Sequence, residues 1–382
     1  MACLESVFCV YSNVSDYNTG MGGMVQAGRK PIGKPLKSRT PQGVWGVPTL
    51  DVPAKARHNF SIPPRHSLRK VATLPPHILL IFLDGIGLGA DDPTINPFAA
   101  ADTPTLNALA GGNKWLAATG RVVSERAVFI PTDPRLGVSG RPQSATGQTA
   151  IITGRNAPTE LGEHYGPYPN PAVRAIIDES SLFKRLAAHG KRGAYLAAYP
   201  PTLHAAIERG KRLRTALQHA AHTAGVRIGT VDDLNAGRAM SADFTGQGWR
   251  DVLQYPDTPV MSALESGVRL AELAYTHDFS LFSTWITDEI GHRGPLERGT
   301  TFLEVFDAVM KGLLQTWRDE DGLIIITSDH GNMEDISIRQ HTLNDVPTVI
   351  IGGGRDAFSE GLAALTDIAP RILAALTDER LP

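Results

Sequence analysis

Several short hydrophobic runs of this chain each end at an aspartate, and this pattern limits the possible folds more than any other feature. The runs are rich in β-branched or aromatic residues, which is typical of buried strands. Each run is followed at once by its aspartate: Ile78–Leu83 by Asp84, Phe279–Thr287 by Asp288 and Leu323–Ser328 by Asp329. Because functional residues of an open α/β sheet lie at the carboxyl ends of its strands, we expect these carboxylates to share one site.

Helical patterns alternate with strand-like runs along most of the chain. Further strands are predicted within Arg121–Ile130 and over Gly193–Tyr199 and Pro347–Gly352. Helices are predicted over Thr103–Ala110, Ser144–Thr153, Ser180–His189, Ser262–His277, Phe302–Trp317 and Asp367–Thr377. Strands that alternate with helices in this way form a mostly parallel sheet with helices on both faces. The predicted fold class is therefore α/β, with a doubly wound sheet.

The first part of the chain has a different composition. Met1–Pro76 carries ten Lys or Arg residues against three acidic ones, is rich in Gly, Pro and Ser, and lacks sustained periodicity. We therefore predict a disordered or loosely attached basic segment over residues 1–73 and one enzyme domain over residues 74–382. An extended start, a basic arm and a transit peptide remain open as explanations of this segment. Both cysteines, Cys3 and Cys9, lie in it, so we expect no disulfide to hold the fold.

Composition excludes several classes of protein. The chain is 42% hydrophobic and has a formal net charge of −2, which is typical of a globular enzyme. No apolar run reaches the length of a membrane span, and the charge balance does not favour nucleic-acid binding. We therefore expect a cytoplasmic protein whose partner is a small molecule and is neither a membrane nor a nucleic acid.

Histidines accompany the aspartates in a pattern that resembles a known family. The motifs are Asp84-Gly85, Asp288-x-x-x-His292, Asp329-His330-Gly331-Asn332 and His341-Thr342 followed by Val346-Pro347. Together they resemble the metal-ligand set of the alkaline phosphatase superfamily, in particular its branch of cofactor-independent phosphoglycerate mutases and phosphopentomutases. The resemblance covers roughly residue 74 to the C-terminus, and it implies an alkaline phosphatase-like fold.

The resemblance also implies two divalent metal ions, manganese or zinc, because aspartate and histidine suit both metals. One metal would be held by Asp288, His292 and His341. The other would be held by Asp84, Asp329, His330 and a hydroxyl nucleophile. Two such ions can clamp the attacking and leaving oxygens of a phosphoryl transfer.

The nucleophile is expected in the segment Gln143–Gln148. The mutases have Ser-x-x-Gly-His at this place, which puts Ser144 on the nucleophile, with Thr146 as the alternative. At the start of a predicted helix, Ser144 would lie where free N–H groups favour an anion. Taken alone, the same position also suits a helix N-cap. Gln148 departs from the pattern, because the mutases have histidine there.

A stretch between the nucleophile and Asp288 is available for a small lid. About residues 200–261 are not required by the predicted core, and they are too few for the large inserted domain of the mutases. The stretch contains the basic residues Arg209 and Arg212, which together with Arg293 are candidates to bind a substrate phosphate. A solvated, exposed position is the alternative for each of these arginines.

These features predict an enzyme that transfers a phosphoryl group from a small phosphate ester through a phosphoserine. A short lid favours transfer to water, as in a phosphatase or phosphodiesterase, because water is excluded less completely. A phosphomutase resembling phosphoglycerate mutase is the alternative. A non-catalytic metal-binding protein on the same fold is the third interpretation, and the complete ligand set argues against it.

Overall fold

The computed structural model describes residues 76–377 and residue 379. The predicted basic segment over residues 1–73, with Cys3 and Cys9, lies outside the described residues. Seven strands form one sheet. They are β1 (His77–Leu83), β2 (Val122–Val123), β3 (Ala127–Thr132), β4 (Gly193–Tyr195), β5 (Phe279–Thr284), β6 (Gly322–Thr327) and β7 (Val346–Gly352).

The strands lie in the order β2-β3-β7-β6-β1-β5-β4. Strand β1 pairs in parallel with β5 and β6, and β4 pairs in parallel with β5. Strand β7 runs antiparallel to both β6 and β3, and β2 runs antiparallel to β3. Five strands therefore point the same way, with β7 and β2 reversed. The predicted α/β class with a mostly parallel sheet is confirmed.

The predicted aspartates follow the carboxyl ends of the three central strands, Asp84 by one residue, Asp329 by two and Asp288 by four. Every residue of β5 and β6 is buried, and β1 is buried from Ile78 onward. Strands covered on both faces have this continuous apolar character. In register, Phe82 of β1 lies beside Ser283 of β5 and Thr327 of β6. The loops that follow these strands therefore emerge side by side.

Helices cover the sheet and agree in most places with the predicted segments. They are α1 (Pro97–Ala100), α2 (Pro104–Leu109), α3 (Ser144–Thr153), α4 (Ala157–Leu161), α5 (Pro171–Ser180), α6 (Leu182–Ala188), α7 (Pro201–Glu208), α8 (Ala216–Thr223), α9 (Val231–Asn235), α10 (Gln247–Asp251), α11 (Ala263–Ala274), α12 (Ile286–Arg293), α13 (Leu296–Thr316), α14 (Arg355–Ser359) and α15 (Ile368–Leu376). No helix in the described part of the chain is both long and apolar enough to cross a membrane.

Several boundaries differ from prediction: the strand predicted over Gly193–Tyr199 ends at Tyr195, and the helix predicted over Phe302–Trp317 begins at Leu296. Two further differences have local reasons. The helix predicted over Ser180–His189 is α6 alone, and a second helix, α5, precedes it. The extended backbone of Ser181 (φ −53°, ψ 130°) separates the two helices. Strand β5 ends at Thr284 rather than at Thr287, because the chain turns there into α12. This second difference moves Asp288 from a strand end to the first turn of a helix.

The stretch predicted as a lid has two kinds of contact. Leu203, Leu217 and Phe244 join the main hydrophobic core beneath the sheet's helices. Trp249 packs in a smaller cluster with Leu234, Ala198 and Ala239. Residues 200–261 are therefore anchored to the core, and a lid function for them stays a prediction.

Candidate metal centre

The three predicted aspartates lie together at the carboxyl ends of the central strands. Asp84 directly follows β1, and Asp329 follows β6 by two residues. Gly85 adopts φ 68°, and a Cβ atom there would come within 2.7 Å of Asp288 Oδ1. A glycine is needed for this turn because it tolerates the left-handed backbone and leaves room for the second carboxylate.

One cluster forms around Asp288. Because Asp288 and His292 are four residues apart on α12, they share one helix face. His292 Nε2 lies 3.4 Å and His341 Nε2 lies 3.6 Å from Asp288 Oδ1. The two imidazole nitrogens are 3.2 Å apart. The structure thus brings together the three residues that the resemblance assigns to one metal.

A second cluster forms around Asp84 and Asp329. His330 Nε2 lies 3.4 Å from Asp84 Oδ1 and 3.6 Å from Asp329 Oδ2. His330 also lies within reach of Asp288 and His341, and its ring stacks on that of His341 with centroids 3.6 Å apart. His330 therefore stands between the two clusters.

Each of the three histidines is oriented by a backbone carbonyl. The Nδ1 atoms of His341, His292 and His330 lie 2.8, 3.1 and 3.4 Å from the carbonyl oxygens of Pro142, Arg339 and Gly331. A carbonyl can only accept, so Nδ1 must carry the proton in each bond. The Nε2 atoms that face the clusters are then free to bind a cation, as in metal-ligating histidines.

Ser144 and Thr146 have different surroundings although both lie in the first turn of α3. The residue before the helix, Gln143, has extended backbone, so Ser144 is the first helical residue and not the N-cap. Ser144 Oγ lies 3.0 Å from His330 Nε2. Thr146 Oγ1 instead donates to the carbonyl oxygens of Gln143 and Tyr165. Of the two candidate nucleophiles, only Ser144 faces the clusters.

Helix α3 approaches the aspartates closely through Gly147. A Cβ atom at this position would lie 2.9 Å from both Cβ and the carbonyl oxygen of Asp329. One turn into the helix, Gln148 Nε2 lies 3.3 Å from Asp329 Oδ2 and 3.5 Å from Asp84 Oδ2. Gln148, the residue that departs from the mutase pattern, therefore bridges two carboxylates.

The electrostatics of the clusters favour a bound cation. Burial, together with the charges of Asp329 and Asp288, raises the pKa of Asp84 well above its usual range. Burial and the charge of Asp288 raise the pKa of Asp329 to about 7. Carboxylates crowded in a low-dielectric site repel one another unless positive charge is present. A divalent cation would relieve this repulsion.

The remaining groups fit the same interpretation. Burial alone would raise the pKa of Asp288, but positive charge on the neighbouring imidazoles, when they are protonated, outweighs burial and lowers this pKa. Burial and the charge of His341 lower the pKa of His330 to about 3, which keeps it neutral. Among the described residues, the buried oxygens Asp84 Oδ1 and Asn332 Oδ1 have no hydrogen-bond partner. Carboxylates, neutral imidazoles and spare buried oxygens are the donors that manganese and zinc take.

A cavity of about 150 Å³ adjoins the clusters and has Asp84, Ser144 and Asp288 in its wall. Arg212 also lines this cavity, and its Nη2 donates to Tyr168 Oη at 2.6 Å. Arg209 and Arg293 are exposed and do not belong to the described lining. That Arg209 and Arg293 contact the substrate stays a prediction.

Glu334 is a structural member of the site that sequence reasoning missed. Its buried carboxylate accepts hydrogen bonds from the backbone N–H groups of Gly87 (3.0 Å) and Asn332 (2.7 Å). The Thr342 hydroxyl and Asn344 Nδ2 donate to it as well. Glu334 thus ties together the loops that carry Asp84, Asp329 and His341. Its position one residue beyond the Asp-His-Gly-Asn-Met stretch was the available signal.

Comparisons with known proteins agree with this geometry. A family model described as "Metalloenzyme superfamily" matches residues 76–379. The 2,3-bisphosphoglycerate-independent phosphoglycerate mutase of Methylobacillus flagellatus is 32% identical over 134 residues, which are 33% of this chain and 26% of that protein. The enzyme of the same name from Lawsonia intracellularis is 31% identical over 145 residues, covering 34% of this chain and 28% of that protein. The chain thus spans about a quarter of the length of these curated relatives.

Solved structures give more distant likenesses over more of the chain. The PH0037 protein from Pyrococcus horikoshii is 18% identical, with 80% of this chain and 98% of that chain covered and a TM-score of 0.49. Alkaline phosphatase from the Antarctic bacterium TAB5 is 14% identical, with 80% and 98% covered and a TM-score of 0.46. The family match alone covers the whole described domain at the level of sequence. It confirms the resemblance to this group of metalloenzymes.

Proposed function

This chain belongs to the Metalloenzyme superfamily, and from that premise we propose that residues 74–382 form a two-metal enzyme that transfers a phosphoryl group. Its substrate is a small phosphate ester, and its nucleophile is Ser144. The observation that carries the proposal is the position of Ser144 Oγ, 3.0 Å from the His330 Nε2 that stands between the two ligand clusters.

The two clusters divide the ligands between two ions. Asp288, His292 and His341 would hold one ion. Asp84, Asp329, His330 and Ser144 would hold the other. Manganese or zinc, when bound, supplies the positive charge that makes a serine hydroxyl a competent nucleophile at neutral pH and neutralises the phosphoryl oxygens.

The residues of the chain then perform a displacement in two steps. Ser144 Oγ gives up its proton and forms a bond to phosphorus as the bond to the ester oxygen breaks, and the ester oxygen takes up a proton and leaves as the alcohol. The first turn of the ten-residue helix α3 favours the negative phosphoryl group beside Ser144. A water molecule then attacks phosphorus and gives up a proton, the bond to Ser144 Oγ breaks, Ser144 regains its hydroxyl proton, and inorganic phosphate leaves. Gln148 holds Asp84 and Asp329 in position through its amide N–H group.

Two features favour hydrolysis of the substrate over the phosphomutase reaction. Residues 200–261 offer only a small lid, and exclusion of water is what allows a phosphoenzyme to return its phosphoryl group to the substrate. Gln148 replaces the histidine of the mutase pattern. A phosphomutase is the second candidate function, and it is favoured by the names of the curated relatives that match a third of this chain.

The test uses the full chain loaded with manganese or with zinc. We expect release of p-nitrophenol from p-nitrophenyl phosphate or from bis-p-nitrophenyl phosphate, and none after treatment with a chelator. Isomerisation of 3-phosphoglycerate without release of phosphate would favour the mutase. Failure of both metals to support turnover of any of these esters would contradict an enzymatic function.

A further inference from the structure

The cavity beside Ser144 has two kinds of wall. One wall consists of Asp84, Ser144, Gln148 and Asp288, the polar groups of the metal centre. Most of the remaining wall is apolar and comes largely from residues 200–261 and the end of β5. Its bulky members include Leu203, Leu213, Leu217, Trp249, Leu253 and Trp285. A substrate whose phosphorus lies at Ser144 would place its alcohol against these side chains.

The volume of the cavity suits a small alcohol. It is about 150 Å³, which in a protein interior accommodates one benzene-sized ring. Two aromatic residues of the wall, Tyr168 and Trp249, offer ring contacts of the kind that aromatic groups prefer. The space therefore suits a single flat ring.

The hydroxyl groups of Ser283 and Tyr199, which line the apolar wall, are already paired with each other and with Tyr195. Ser283 Oγ lies 2.6 Å from Tyr195 Oη and 3.4 Å from Tyr199 Oη, and the two tyrosine hydroxyls are 3.1 Å apart. An apolar ring can cover this face without leaving a buried donor or acceptor unpaired, which would otherwise be costly.

Charge argues against an anionic alcohol such as glycerate. Of the described residues that line the cavity, Arg212 alone carries a positive charge, and one of its N–H groups donates to Tyr168 Oη. A carboxylate brought into an apolar space needs a dedicated ionic partner. Apart from Arg212, the described lining offers no such partner, and the rest of this wall offers hydrophobic contact.

We propose that this cavity binds the alcohol of the substrate and that the alcohol is an uncharged apolar group of one aromatic ring. The substrate class is thus a phosphate ester of an aryl or arylmethyl alcohol. This inference rests on the proposed function, because the phosphoryl group must lie at Ser144.

The first test compares benzyl phosphate with glycerol 1-phosphate on the metal-loaded full chain. Both are esters of primary alcohols, so the comparison is between the contacts of the two alcohols rather than between aryl and alkyl leaving groups. We expect kcat/KM for benzyl phosphate to be higher by about tenfold or more, from burial of the ring. Equal or better turnover of glycerol 1-phosphate would overturn the inference and leave the proposed function standing.

A matched pair of variants tests whether the apolar wall causes the preference for benzyl phosphate. Leu213 lines the cavity and is 47% exposed, whereas Val123 is 63% exposed on strand β2 and does not line the cavity. Leu213→Asp should lower the preference for benzyl phosphate about tenfold, because a carboxylate then faces the ring. Val123→Asp should leave the preference unchanged. An unchanged preference in Leu213→Asp would contradict the assignment of this wall.

A binding measurement separates failure of this inference from failure of the proposed function. Trp249 and Trp285 line the cavity, so their fluorescence reports its occupancy. In metal-loaded Ser144→Ala protein, benzylphosphonate should change the fluorescence at concentrations at least about tenfold lower than methylphosphonate does. Such selective binding without any turnover in the unsubstituted protein would support the cavity assignment and contradict the proposed function. Absence of both binding and turnover would overturn both.

Discussion

Ser144 and Thr146 lie two residues apart on one helix, yet only one of their hydroxyls faces the metal clusters. Sequence alone could not separate them, because an alignment that slips by two residues exchanges their places. Folding separates them, because successive helical residues project about 100° apart around the axis. Ser144 Oγ meets His330, while Thr146 Oγ1 donates to backbone carbonyl oxygens.

We expect Ser144→Ala to abolish turnover while metal binding persists, because three charged or imidazole ligands of the second cluster remain. The loss should be on the order of 10⁴-fold or more in kcat, as for removal of other nucleophiles. Phosphate release and metal content by mass spectrometry measure the two properties. Thr146→Ala is the matched control. The Thr146→Ala protein should keep turnover. Its free energy of unfolding should fall by about 1 kcal/mol, because the hydrogen bonds from the Thr146 hydroxyl to the backbone are lost. Full activity in Ser144→Ala would transfer the role to another hydroxyl.

Asp329→Asn should lose both metal and turnover. Asn keeps the shape of the side chain but removes the charge that binds a cation of the second cluster. Because Asp329 is fully buried beside Asp288, the same substitution removes a repulsion. The metal-free variant should therefore be at least as stable to urea as the metal-free unsubstituted protein. Titration calorimetry with manganese checks the first result and urea unfolding in chelator checks the second. Unchanged manganese affinity would show that Asp329 is no ligand.

The bounds of strands and helices were predicted correctly where a hydrophobic run coincided with one strand or helix. Helix α3 was predicted at its observed bounds, Ser144–Thr153. The end of the strand predicted over Phe279–Thr287 was wrong. Residues 285–287 are as apolar as the strand before them, so periodicity cannot locate the turn into α12. The prediction that Asp288 and His292 lie in one cluster was not affected, because residues four apart share one face of a helix.

The loops between elements depend on Glu334, and Glu334→Gln tests this. The carboxylate accepts from two backbone N–H groups, a hydroxyl and an amide, whereas a glutamine amide has one acceptor oxygen and would turn an NH₂ group toward buried donors. We expect a loss of about 1–3 kcal/mol in the free energy of unfolding, with weaker metal binding. Glu320→Gln, at an exposed position, is the control and should be neutral. A neutral Glu334→Gln would show that the loops hold their positions without this carboxylate.

At the scale of the whole molecule, the site exists because distant parts of the chain meet at one edge of the sheet. Strands β5, β1 and β6 are neighbours, and an antiparallel bridge between Gly331 and Thr342 brings His341 back to the site. The sequence predicted which residues meet, through their motifs. It did not predict the strand order, the reversed strand β7 or the cavity wall, because local patterns carry no information about which distant segments pair.

Removal of metal should destabilise the whole domain and not only stop turnover. Both ligand clusters join segments far apart in the chain, so an ion that binds only the folded state stabilises that state. The gain is about 2.7 kcal/mol for each site when the free ion is at 100 times its Kd. Scanning calorimetry of the full chain should therefore show a thermal midpoint that rises with manganese and falls with chelator. Ser144→Ala should retain most of this shift. His341→Ala should lose much of it, because His341, which the Gly331–Thr342 bridge brings to the site, lies in the Asp288 cluster. A midpoint that does not respond to any divalent cation would contradict the metal centre itself, independently of which ester the protein hydrolyses.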